Sequence, residues 1–252
     1  MPWDRRVIGA RLPRIVVAID RANARFPWSH NDHFHGWLLR RLPAARGTAV
    51  DVGCGRGELV AALRGRGRFA RVVGVDPDER MAREAAGRFA ADPGVHVAQV
   101  AFGDLAPGDG VVPDGGADAL TMVASLHHLS HETSLTEALR RSRGLLAPGG
   151  RLLVVGLSRP STPRDFAVDA VSVALNPLVG MVKRAFGRGA HAGEDGMPVR
   201  DPDETFTAVV GAAAAELPGA RVRRRLFFRY SLEWAAPAAV LSSAEPPAGS
   251  SR

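Results

Sequence analysis

The chain has 252 residues, 46% hydrophobic and 23% charged, which is enough for one large core and too little for two full domains. No run reaches the roughly 20 uninterrupted apolar residues of a membrane span, the first apolar run being only Ile15 to Ile19, so a soluble cytoplasmic protein is expected. A single cysteine, Cys54, excludes an intrachain disulfide and a cysteine metal cage, and the formal charge of +7 comes from scattered arginines, a compositional bias more than a nucleic-acid footprint.

Residues 1–46 are expected to form a helical extension. Its ring-rich cluster from Trp28 to Trp37 has two readings: a lid over a ligand, with His30, Asn31 and His35 facing it, or a helix packed through Trp37, Leu38 and Leu42 with its histidines in solvent. From Gly47 onward, β-rich runs alternate with helical periodicity, the pattern of a parallel sheet covered by helices. Strands are predicted at 48–52, 71–76, 95–100, 117–123 and 151–157, the fourth apolar enough to be buried on both faces. Helices are predicted at 58–66, at 78–91 behind Pro77, and at 133–146, the last closed by a turn from Ala147 to Gly150. The alternation breaks at 158–200, read as an insertion holding an amphipathic stretch at 165–186 that is broken at Asn176 and Pro177. A helix at 204–216, then strands at 220–227 and 229–234 in an antiparallel pair, close a domain at 47–236, and 237–252 reads as a disordered tail. The expected fold is α/β and doubly wound, with a seven-stranded, mostly parallel sheet and an antiparallel last strand.

The sharpest feature runs from Val50 to Gly57. A strand ends on an acid, Asp51, and is followed by Gly53, Gly55 and Gly57 at alternate positions with Cys54 between the first two. Glycine there permits positive φ and lets a ligand approach the backbone closely. The spacing G-x-G-x-G differs from the dinucleotide fingerprint G-x-G-x-x-G, and a carboxylate at the strand end repels a pyrophosphate while suiting a cation. S-adenosyl-L-methionine carries an ammonium and a sulfonium, so Asp51 is the predicted anchor of its amino-acid end. Asp76, followed by Pro77, ends the second strand, where an acid accepts hydrogen bonds from ribose hydroxyls. After the third strand, Gly103, Asp104 and Leu105 offer a carboxylate to an adenine amine, and Ala124 follows the fourth strand at the same edge.

These segments resemble the class I, Rossmann-like S-adenosylmethionine-dependent methyltransferases. Residues 51–57 look like their first motif, Asp76 like their second acid and 102–105 like their adenine-contacting turn; 117–120 with 126–129 resemble their fourth motif, and 145–152 the turn before strand five. Glu58 departs from the commoner aromatic or Thr residue. The resemblance implies S-adenosyl-L-methionine as donor, S-adenosyl-L-homocysteine as product, and O-, N- or C-methylation of a small-molecule acceptor. The flanking segments resemble small bacterial methyltransferases in which a Trp/His/Asn-rich helix precedes the first motif, a likeness that carries no acceptor.

The sulfonium is already activated, so a general base is the one side-chain role left, and His127 and His128 after the fourth strand are the candidates. The competing reading has them only shape the loop. His131 and Glu132 lie nearby without a ligand-like spacing, and no metal is expected. The 165–186 stretch reads as a lid or as a surface helix in peripheral contact with lipid. An RNA-directed methyltransferase is disfavoured because Ala124 to His128 stands where base-modifying enzymes carry Asn/Asp-Pro-Pro-aromatic. A non-catalytic adenosyl-binding scaffold is a further alternative, and the expected assembly is a monomer or homodimer.

Overall fold

A computed structural model of the chain describes residues 23, 25–43, 47–129, 133–186 and 201–238. The rest of the expected N-terminal extension, the loop at 187–200, His131 with Glu132, and most of the expected tail lie outside the described residues.

In chain order the elements are α1 (His30–Arg41), β1 (Thr48–Val52), α2 (Glu58–Gly65), β2 (Arg71–Asp76), α3 (Glu79–Arg88), β3 (Val95–Gln99) and a single 3-10 turn at Phe102–Asp104. There follow β4 (Ala117–Val123), α4 (Leu126–Leu129), α5 (Leu135–Gly144), β5 (Leu146–Gly156), α6 (Pro163–Ala185), α7 (Phe206–Glu216), β6 (Arg221–Arg225) and β7 (Arg229–Ala235). The seven strands form one sheet in the order β3-β2-β1-β4-β5-β7-β6. The first five run parallel; β7 pairs antiparallel with both β5 and β6. The first of the described strands therefore lies inside the sheet, and the reversal between β2 and β4 opens a crevice at the carboxyl end of β1.

Side-chain alternation explains why β1 and β4 are central. Val50, Val52, Leu120 and Met122 enter one core layer with Leu139 and Val209, while Ala49 and Ala119 enter the other with Leu38, Val60 and Leu63. Helices therefore cover both faces: α1, α2 and α3 on one, α5 and α7 on the other. Polar caps fix where several of these helices start. Asp78 accepts the Met81 N–H at 3.0 Å to start α3, Ser134 accepts from Glu137 at 3.1 Å to start α5, and Thr205 caps α7.

Two expectations need correction. The turn from Ala147 to Gly150 lies inside β5, where the pairing with β4 jumps from Ala117–Leu146 to Ala119–Arg151; the turn is a bulge that keeps both flanks in the sheet. The stretch expected to break at Asn176 and Pro177 is one helix of 23 residues. A proline there removes one N–H, yet the helix continues because neighbouring groups grip it at this point: Trp28 Nε1 donates to the Asn176 carbonyl at 3.1 Å. By length and composition this helix could cross a membrane, with a mean hydropathy of 1.4 over 18 residues of which 17% are buried.

Candidate functional site

The glycine turn after β1 adopts backbone that side chains resist. Gly53, Gly55 and Gly57 have φ of 71°, 53° and 80°. A Cβ on Gly53 would lie 2.5 Å from Cβ of Ser125, and one on Gly57 would lie 2.7 Å from the Phe89 ring. The turn is tied to β2 from inside: the N–H groups of Gly53 and Cys54 donate to the Val75 carbonyl at 2.8 and 3.0 Å, Gly55 N–H donates to Asp76 Oδ2 at 2.9 Å, and Gly57 N–H to the Cys54 carbonyl at 2.9 Å. The N–H groups of all three glycines are thus engaged within the protein.

Two acids flank it on adjacent strand ends. Asp51 is 3% exposed and accepts a hydrogen bond from Thr121 Oγ1 at 2.8 Å. Burial pushes its carboxyl up to about 7, Thr121 opposes that shift, and the neighbouring Asp76 adds to it. Asp76 is also raised, by burial first, against the bonds it accepts from Gly55 and from Asp78 N–H at 3.0 Å. Each Asp76 oxygen takes one backbone donor, which leaves lone pairs for hydroxyl donors. Two desolvated carboxyls beside a turn whose glycine N–H groups are engaged fit a ligand that brings positive charge and hydroxyls.

The other predicted residues divide. Pro77, Gly103 and Asp104 are exposed at the same edge, and nothing stands within 4 Å of where a Gly103 Cβ would project. Arg141 Nη2 donates to the Gly103 carbonyl and holds that turn. The Leu105 side chain does not face the cleft: it is 2% exposed in the core, and its N–H goes to the Phe102 carbonyl at 3.3 Å. Cys54 likewise packs inward against Gly74, its thiol pushed up by burial, so only its backbone shapes the turn. Ala124 has φ 55°, uncommon for a residue with a Cβ, and its N–H donates to Val155 at 2.8 Å, locking the corner after β4. His127 is buried, with its ring centroid 4.1 Å from that of His128. His128 is partly exposed and lies close enough to Asp76 for its charge to act there.

Sequence reasoning missed Thr121 and Ser125. Ser125 Oγ donates to the Val52 carbonyl at 2.8 Å, bracing the acid-bearing strand end. The available signal was a lone hydroxyl in the otherwise apolar end of β4, Ala119 to Val123. Of the suggested lid residues, His30 bonds Asn176 at 2.8 Å, burial lowering its pKa to about 4, and Asn31 accepts from Arg229 at 3.0 Å. Both tie α1 to other elements. His35 senses Asp32 and Glu58, the first residue of α2, and so stands on the glycine-turn side. Among the described residues no group of three His, Cys, Asp or Glu side chains is placed to hold a metal ion.

Residues 50–152 match a family profile described as a methyltransferase domain. An uncharacterized methyltransferase of Mycobacterium bovis is 33% identical over 211 residues, covering 84% of this chain and 98% of that protein. Trans-aconitate 2-methyltransferase of Methylobacterium nodulans is 38% identical over 118 residues, 46% of this chain and 41% of that protein. Among solved structures, the N-methyltransferase NodS of Bradyrhizobium japonicum in complex with S-adenosyl-L-homocysteine superposes with a TM-score of 0.51 at 16% identity, over 89% of this chain and 100% of that one.

Proposed function

Because this chain belongs to the class I S-adenosylmethionine-dependent methyltransferases, we propose that it binds S-adenosyl-L-methionine at the β1–β2–β4 strand ends and methylates a small-molecule acceptor. The observation that carries this reading is the pair of desolvated acids, Asp51 and Asp76, around a glycine turn whose own N–H donors are engaged. When bound, the cofactor supplies a methyl group already activated on a sulfonium. Asp51 would hold the cationic amino-acid end, Asp76 the ribose hydroxyls, and Asp104 the adenine amine. Gly53 to Gly57 with Pro77 and Ala124 would shape the walls, and His35 on α1 would close them from above.

His128, partly exposed, is better placed than the buried His127 to take a proton from an acceptor; His127 would hold it in position. A small acceptor is favoured by the partial relative that acts on trans-aconitate and by the absence of an Asn/Asp-Pro-Pro-aromatic run after β4. Calorimetry tests the cofactor: S-adenosyl-L-homocysteine should bind, NAD should not, and Asp51→Ala should abolish binding. Labelled methyl transfer into a cell extract, separated by size, tests the acceptor; label in RNA instead of small molecules would overturn that part. Loss of transfer in His128→Ala, with S-adenosyl-L-homocysteine binding retained, is expected if His128 is the base.

A further inference from the structure

Helix α6 is gripped along one side and bare along the other. On the gripped side Asp165 accepts from Arg224, Ser172 Oγ accepts the Phe227 N–H at 2.8 Å, Asn176 receives Trp28, and Gly180 is so close to the Phe26 carbonyl that a Cβ would lie 2.1 Å from it. On the bare side Phe166, Val171, Leu178, Met181, Val182 and Phe186 are 46–76% exposed. Their spacing, filled in by exposed Ala167, Ala170, Ala174 and Ala185, traces one apolar stripe about 30 Å long. A stripe of that length with no polar residue in it is larger than the isolated apolar residues normal on a soluble surface.

The fully exposed charges along the helix are of one sign. Asp165 is paired inward with Arg224 and Asp169 is half-buried, so the exposed charges of α6 are Arg164 at its start and Arg184 at its end. Lys183 lies 4.4 Å over the Trp28 ring, and Arg184 reaches the Arg25 carbonyl at 3.4 Å, adding cations at the same end. We propose that this face docks on an anionic lipid bilayer, with α6 lying parallel to the surface, its apolar stripe among the acyl chains and its terminal arginines among the headgroups.

A second copy of the chain fits less well. Antiparallel pairing of two α6 helices sets Arg164 against Arg184, and parallel pairing sets each against its own kind, so both meet like charge. Spanning the bilayer would pull Asp165 and Arg224 apart or carry both into hydrocarbon. The docking does not depend on methyl transfer, although α6 follows β5 directly and stands beside the edge where an acceptor must approach.

Co-sedimentation of the whole protein with vesicles tests the proposal. Phosphatidylcholine vesicles containing phosphatidylglycerol should pellet the protein several-fold more than pure phosphatidylcholine. Leu178→Ser with Met181→Ser should abolish the pelleting. Arg164→Glu with Arg184→Glu should weaken it several-fold while leaving the apolar face and the fold intact. Both variants should keep the native melting temperature and bind S-adenosyl-L-homocysteine normally, which separates failure of docking from failure of the cofactor assignment. Pelleting that is absent, or indifferent to lipid charge and to both variants, overturns the proposal. So does a dimer in sedimentation equilibrium that the Leu178/Met181 variant dissociates.

Discussion

Asp51 carries its carboxyl near 7 because burial disfavours its charge more than the Thr121 hydroxyl can compensate. The folded, unliganded protein thus holds a proton that the unfolded chain has released by about pH 4, and this residue lowers stability as pH rises from there to about 7. The ligand's ammonium needs the carboxylate, so affinity for S-adenosyl-L-homocysteine should climb about tenfold per unit as pH approaches 7 from below and level off above it. Calorimetric titrations from pH 5.5 upward check this, and a flat profile would remove Asp51 from the site. Thr121→Val should raise the Asp51 carboxyl further, shift that profile to higher pH and cost about 1–2 kcal/mol of stability above pH 7, measured by urea unfolding. At this scale the sequence made the acids and glycines legible, since each sits at a strand end whose strand is itself readable. It did not reveal the inward turn of Leu105 and Cys54, because a side chain's direction at a loop position is decided by what packs over it. Thr121 was hidden for the opposite reason: its hydroxyl lies within an apolar strand, and its partner is seventy residues earlier in the chain.

The element least legible beforehand is α6. Asn176 and Pro177 signal a break, and in an isolated helix they would make one. Contacts from far along the chain overrule that local preference: Trp28 and His30 reach Asn176, and the helix start is fixed by a reciprocal cap between Thr162 and Asp165. Burial alone would raise the Asp165 carboxyl, yet hydrogen bonds from Arg224, the Thr162 hydroxyl and the N–H groups of Ser161 and Thr162 hold it well below the usual carboxylate range. Its stabilising contribution is therefore complete above the ordinary carboxylate value and drains away as pH falls below it. Arg224→Ala leaves this nearly buried acid without its cation and should cost about 3 kcal/mol at pH 7, less at pH 3, by denaturant unfolding. The parallel strands were easier to read, since β1, β2 and β4 keep their predicted bounds: strands buried on both faces are unbroken apolar runs, and position along the chain settles their type. The turn inside β5 looked like a terminus only because Pro and Gly punctuate bulges as readily as ends.

Over the whole molecule the net charge is +7, and many of its arginines are paired locally. Arg41 and Arg151 share Glu233, Arg64 pairs with Asp92, Arg88 with Glu58, and Arg140 with Glu137 and Glu216. One concentration of cations stands out: Arg221, Arg223 and Arg225 beside Arg41 and Trp37 on the outer strand, where burial and the facing arginines lower the Arg225 guanidinium below its usual value. A patch this small gives few phosphate contacts, so RNA binding in a filter assay should vanish by about 0.15 M salt. Retention at that salt would bring the RNA-directed reading back. The sheet order has its own consequence for how the protein is made. Among the described residues β7 is the last strand synthesised, yet it lies between β5 and β6, and β6 touches no other strand there. While the ribosome is still building residues 221–225, they have nowhere to pair, and the open flank of β5 stays uncovered until residue 235 clears the exit tunnel. A premature stop between Arg225 and Arg229 would thus release a product with two unmated strand edges, a fragment destined for aggregation or the proteases despite retaining every residue assigned to the cofactor.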